Sequence, residues 1–142
     1  MKSCLSVLCV ITFALLCCVE CFACTCPREN LPGTEAPLPD INKVEAVFSG
    51  EVTDIRMAGR KWLSITIKVE QSWRGEIPEA VTIFTSRNTC GYVFTKGESY
   101  LVYANTYPSG NGFTTDTCKG NKKLIDAKRN LEALGVGKTI GK

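Results

Sequence analysis

Two strand-like runs, the second of them cleanly alternating, flank Met57-Ala58-Gly59-Arg60-Lys61. In the second run, residues 62–70, Leu63, Ile65, Ile67 and Val69 alternate with polar neighbours, the period-two pattern of a strand with one buried face. Residues 47–56 form its partner strand, and the five residues between make a hairpin tip in which Gly59 supplies a positive φ. Trp73-Arg74-Gly75 turns the chain out of the second strand. A third strand is predicted over 81–85 and a fourth over 100–104, introduced by the Lys96-Gly97-Glu98 turn. A fifth follows over 113–117, after the loop 108–112. The period then changes. Leu124, Ala127, Leu131 and Leu134 share one helical face, with Lys128, Arg129 and Glu132 on another. Asn121 is the expected cap of this helix and Gly135 its left-handed terminator; the tail 136–142 is expected to fray. Ahead of the strands, Asp40 is expected to cap one or two helical turns over 40–46. Five short strands closed by a C-terminal helix predict a mainly β fold, a five-stranded OB-like closed barrel.

Composition adds a compartment. Residues 1–23 carry Lys2, an apolar core and small or short residues, Cys21 and Ala23, ahead of a cleavage point, which is the pattern of a signal peptide. The apolar run is broken by Glu20 and falls short of the ~20 residues a spanning helix needs, so no membrane span is expected. Cleavage there makes residues 24–142 the mature domain and leaves four of the nine cysteines, Cys24, Cys26, Cys90 and Cys118. An even number suits the oxidising, extracellular setting of a secreted protein. Cysteines one residue apart do not easily bond to each other, so Cys24 and Cys26 each reach a distant partner, in either of two ways. Each bridge closes a long loop, worth about 4 kcal/mol in the chain-entropy model, and the two are not additive. The stretch 27–39 contains Pro27, Pro32, Pro37 and Pro39, which excludes helix or central strand.

The net charge of +3 is the same with or without residues 1–23, which contribute one Lys and one Glu. Its scattered cations do not point to nucleic acid. The cluster Lys119, Lys122, Lys123, Lys128 and Arg129 reads as a solvated helix face or, on the sharper reading, as a contact for a polyanion or matrix component. The chain has no histidine, which removes the commonest general base and zinc ligand. Glu51, Glu70 and Asp116 show no acid–base spacing, no phosphate loop is present, and the chain is read as a non-enzyme without a cofactor of its own. The aromatic residues Trp62, Trp73, Tyr92, Phe94, Tyr100, Tyr103 and Phe113 are expected in the core. What stands out is an N-terminal cysteine. Its α-amine, with a pKa of about 7.7 to 8.0, is partly neutral near pH 7. Amine and carbonyl of Cys24 together could close a five-membered chelate ring on the open position of a catalytic zinc in another protein, with Thr25 entering the pocket beside that metal.

The signal segment, Ala23-Cys24-Thr25-Cys26-Pro27, Ala46-Val47-Phe48-Ser49-Gly50, Thr89-Cys90-Gly91, Tyr100-Leu101-Val102-Tyr103 and Thr114-Thr115-Asp116-Thr117-Cys118 resemble the netrin-like domain of the tissue inhibitors of metalloproteinases, across essentially the whole mature chain. The resemblance implies an OB-like barrel and disulfides Cys24–Cys90 and Cys26–Cys118. It implies that Cys24 chelates the zinc of an extracellular metalloprotease, with Thr25, Cys26, Pro27, Asn88 and Thr89 contacting the target. No cysteine lies between Cys26 and Cys90 and none follows Cys118, so the family's third barrel disulfide has no counterpart. Short, single-domain netrin-like proteins exist for which inhibition is not assumed, so the alternative reading is a secreted binding module for a matrix or other extracellular partner.

Overall fold

In the computed structural model, β1 (Ala46–Ala58) and β2 (Trp62–Arg74) pair antiparallel along their whole length, as expected of the two strand runs and the turn between them. Cys24, Cys26 and residues 37–141 are described. The expected signal peptide 1–23, Thr25, Pro27 and the proline-rich stretch to residue 36 lie outside the described residues. The β1–β2 turn is the expected one, with Gly59 at φ 74°. β2 continues into β3 (Ala80–Ser86), antiparallel. β4 (Ser99–Thr106) pairs antiparallel with residues 46–51 of β1, on the edge that β2 leaves free. A two-residue β5 (Phe113–Thr114) joins β3 in parallel and β4 antiparallel. The pairings therefore return to their start, β1-β2-β3-β5-β4-β1, as a ring-like sheet of five strands.

β1 serves two neighbours over one half and a single one over the other, so it must coil. Register shifts occur at Val47/Phe48, Ser49/Gly50 and Val52/Asp54, the local irregularities that raise strand twist. Gly50 sits at the tightest point: a Cβ there would overlap the Lys68 carbonyl oxygen across the pair.

Alternation sorts the apolar residues into two cores. Phe48, Val52, Ile65, Ile67, Ile83 and Val102 point into the ring. Val47, Leu101 and Tyr103 point out of it, against Val44, Ala127 and Trp73. Residues 46–50 and 100–104 are thus buried on both faces, which is why they read as continuous runs. The second core is covered by a 3-10 turn at Leu124–Asp126 and α1 (Lys128–Leu134), the one α-helix among the described residues. No described helix is long and apolar enough to cross a membrane.

Several expectations change. The helical turn over 40–46 is a 3-10 turn, Ile41–Lys43, capped as expected by Asp40, whose Oδ1 accepts from the Asn42 N–H at 2.9 Å; Ala46 already belongs to β1. The C-terminal helix starts late because Lys122 and Lys123 form β6 (Lys122–Lys123), opposite Leu101 and Tyr100 of β4. Asn121 is a buried bridge rather than a helix cap, and Ala127 takes the cap position without a side-chain bond. Gly135 ends α1 with φ 71°. The tail does not fray. β7 (Lys138–Thr139) pairs with Ser72 and Gln71 of β2, and the Ile140 N–H donates to the Glu70 carbonyl at 2.9 Å. β3 stops pairing at Lys68, leaving that edge of β2 open for the tail to cover. Six of the seven aromatic residues expected inside belong to or pack against the two cores; Trp62 does not, and lies on the outer face.

Gly50→Ala is expected to destabilise the fold by about 1–3 kcal/mol through overpacking against the Lys68 backbone, read from urea unfolding with both disulfides intact. A second expectation concerns high pH. Half-buried Tyr92 meets Phe94 and Tyr100 edge-on at ring-centroid distances of 4.9 and 6.0 Å. Burial, then Tyr100 and Asp126, push its hydroxyl from the ordinary 10.0 up to about 12. The folded chain holds this proton more tightly than the unfolded one. Its contribution to stability is therefore complete below pH 10.0 and lost as pH rises toward about 12. Tyr92→Phe should flatten the fall in stability across that window, measured by denaturant melts at stepped pH.

Candidate functional site

Cys90 and Cys118 stand in the same local sequence, Asn88-Thr89-Cys90 and Asp116-Thr117-Cys118. In each, a short side-chain oxygen two residues before the cysteine folds back onto the backbone. Asn88 Oδ1 accepts from the Cys90 N–H at 3.0 Å and Asp116 Oδ1 from the Cys118 N–H at 2.8 Å. These are Asx turns, which Asn and Asp favour because the side chain mimics a backbone carbonyl. Ser86, at the end of β3, adds its hydroxyl to Asn88 Oδ1 at 2.6 Å. Gly91 lets the loop close, because a Cβ at that position would collide with the Ser86 carbonyl.

The two turns are joined directly. The Thr117 N–H donates to the Cys90 carbonyl at 3.0 Å. Behind them, Asn121 binds the second turn to β4. Its Oδ1 accepts from the Tyr103 N–H at 2.8 Å, while its Nδ2 donates to Thr115 Oγ1 at 2.7 Å and to the Asp116 carbonyl at 3.1 Å. Thr115 Oγ1 in turn donates to the Tyr103 carbonyl at 2.7 Å. Beyond β5 the Thr115 N–H still donates to the Phe84 carbonyl of β3 at 3.1 Å, and Asp116 then bends the chain into the turn.

Onto this platform the chain bonds twice. Cys24 is joined to Cys90 and Cys26 to Cys118, with Cα separations of 5.0 and 5.2 Å and sequence separations of 66 and 92. This is the pairing that the family resemblance implies, and it settles which of the two open pairings is formed. All four cysteines are half-buried, while Asn88 and Thr89 are exposed beside Cys90. The structure therefore brings Cys24, Cys26, Asn88 and Thr89 to one end of the ring. Thr25 and Pro27 lie outside the described residues. A cavity of about 470 Å³ adjoins the Cys26–Cys118 bridge, lined by Leu38, Asp40, Lys43, Val44, Asp116 and Lys119 among others. Among the described residues no cluster of three or more His, Cys, Asp or Glu is placed to hold a metal ion.

Sequence reasoning gave Asp116 no role and Asn121 the wrong one, and it passed over Ser86. The repeated Asn/Asp-Thr-Cys triplet was the available signal for the two turns. No family model matches the chain, and no curated protein matches it either.

Asn88→Ala and Asp116→Ala should each lower stability by about 1–2 kcal/mol, the worth of a lost turn bond at a half-buried backbone N–H. They should also act selectively. In oxidative refolding followed by peptide mapping, Asn88→Ala slows Cys24–Cys90 formation more than Cys26–Cys118, and Asp116→Ala does the reverse.

Proposed function

We propose that this protein is a secreted inhibitor of zinc metalloproteases, built on a netrin-like, OB-like closed barrel, and that Cys24 acts as its zinc-directed group after removal of residues 1–23. The observation that carries this reading is the pair of disulfides Cys24–Cys90 and Cys26–Cys118 on two turns that are hydrogen-bonded to each other. A donor that must fill one coordination position gains from being held still before it binds, because the entropy of ordering is then already lost on folding. A free terminus on a flexible arm would lose that advantage.

In the proposed mechanism, the α-amine of Cys24, as its neutral form, and the Cys24 carbonyl approach the target's zinc together and displace its water. Thr25 enters the adjoining pocket, Cys26 and Pro27 lie along the cleft, and exposed Asn88 and Thr89 contact its rim. Asn88 has a second task, since its side-chain oxygen is engaged within its own turn. It shapes the loop that carries Cys90. The chain adds no metal and no catalytic group; inhibition follows from occupying a position that water needs.

The alternative, a netrin-like module for a matrix component through the Lys119–Arg129 surface, finds less support. Lys123 is paired with Glu98 at 3.5 Å and Lys128 with Glu132 at 4.0 Å, so part of that surface is already neutralised.

Adding a single alanine before Cys24 moves the amine and turns the Cys24 nitrogen into an amide without a donor lone pair. Inhibition of a zinc metalloprotease catalytic domain, assayed on a fluorogenic peptide, should fall by at least about a thousandfold, the loss of a metal-bond-scale interaction of roughly 4 kcal/mol. Circular dichroism should be unchanged. Retained potency in the extended protein removes the mechanism.

A further inference from the structure

The β1–β2 tip and the end of β3 border an open cavity of about 530 Å³, lined by Arg60, Lys61, Trp62, Ser86, Arg87 and Asn88. Its size is that of a small-ligand pocket. Half of these lining residues are cations, and among the described residues no carboxylate lines the cavity or forms an ion pair with them. Among the described residues, Arg87 is held in place by backbone oxygens. Its N–H donates to the Lys61 carbonyl at 2.9 Å and its Nη1 to the Arg60 carbonyl at 3.2 Å. The guanidinium is thus positioned with no carboxylate paired to it among the described residues, the state of a cation awaiting an anion.

The second feature is aromatic. Trp62, Phe84 and Tyr107 form a contiguous outer cluster, with ring centroids 6.1 Å apart for Trp62–Tyr107 and 4.4 Å for Phe84–Tyr107. All three are half-buried, outside both cores. An aromatic face open to water beside fixed cations suits a ligand with both an apolar face and negative charge. A pyranose ring bearing sulfate or carboxylate has both: its C–H face stacks on the ring and its anionic groups accept from the guanidinium. A nucleic acid offers similar chemistry, but the choice of a saccharide rests on the proposed secreted setting, with which the two disulfides are consistent.

We propose that this cavity binds an acidic saccharide, with sulfate or carboxylate groups held by Arg60, Lys61 and Arg87 and a sugar ring on Trp62. The site borders the zinc-directed one at Asn88, but it needs neither a free amine at Cys24 nor any residue of the terminus. It is also distinct from the Lys119–Arg129 surface.

The test is a titration of the oxidised, ¹⁵N-labelled protein with a heparin hexasaccharide, followed by NMR. The two tryptophans give two indole N–H signals. That of Trp62 should shift and saturate, while that of Trp73, donated to the Gly135 carbonyl at 2.8 Å, should stay. The double variant Arg60→Gln/Lys61→Gln, at the exposed hairpin tip, should bind about tenfold more weakly, the sum of two exposed charge contacts. Lys122→Gln/Lys128→Gln should stay within about twofold, and raising salt from about 50 to 300 mM should weaken binding. Acetylating the terminus should change nothing. The proposal is overturned if the Trp62 signal does not saturate or if the Arg60/Lys61 variant binds undiminished. Equal affinity for a hexaglutamate peptide, for an oligodeoxynucleotide of matched charge, or for a neutral oligosaccharide of matched length overturns it as well.

Discussion

The fold rests on one shared strand. β1 is hydrogen-bonded to β2 on one edge and to β4 on the other over residues 46–51, and only a strongly coiled strand can turn far enough to do both. The bulges and Gly50 supply that coil. With β1 bent, β3 and β4 come near enough for the two residues of β5 to bridge them, one pairing parallel and the other antiparallel. The interior then fills from alternate residues of each strand, and the outward-facing residues of β1 and β4 are left to the 3-10 turn and α1. Without the coil the sheet would have two open edges and no enclosed core.

The cysteine platform follows from that closure. β3 ends at Ser86 and β5 leads into Asp116, and the parallel β3–β5 pairing brings these two exits side by side. Two turns of the same chemistry then meet through Thr117 and Cys90. The positions of Cys90 and Cys118 are thus fixed by the sheet and its turns, and the disulfides attach the leading segment to sites prepared for it.

Much of the fold was legible because strand signals depend on local pattern. Leu63, Ile65, Ile67 and Val69 alternate, and β2 lies where they do. Gly59 and Gly135 were readable for the same reason, as each meets a local conformational need. What escaped reading depends on distant partners. β6 and β7 exist because β4 and β2 offer free edges, and nothing in Lys122-Lys123 or Lys138-Thr139 announces that. Asn121 looked like a cap because caps and buried bridges use the same amide, and only the approach of Tyr103 and Thr115 decides between them. The cationic cavity escaped for a related reason. Arg60-Lys61 and Arg87 are neighbours only through the pairing of Trp62 with Ser86. At the candidate site, the cysteines and the Asn88–Thr89 loop were readable from motif resemblance, whereas the hydrogen bonds that hold them were not.

The joined turns bear on how the molecule withstands reducing conditions. If the Cys24–Cys90 bond is opened, Cys90 remains in its turn, held through Asn88 and Thr117. Cys24 remains tied two residues from Cys26, within a reach of roughly 7 Å. The separated sulfurs therefore stay near each other at an effective concentration of millimolar or above, and the same holds for the other pair. Each bridge is a tether for its neighbour. When an external thiol opens one bridge as a mixed disulfide, the freed cysteine thiolate attacks that mixed disulfide, re-forms the bridge and releases the external thiol, so lasting loss of the tip requires both to open together.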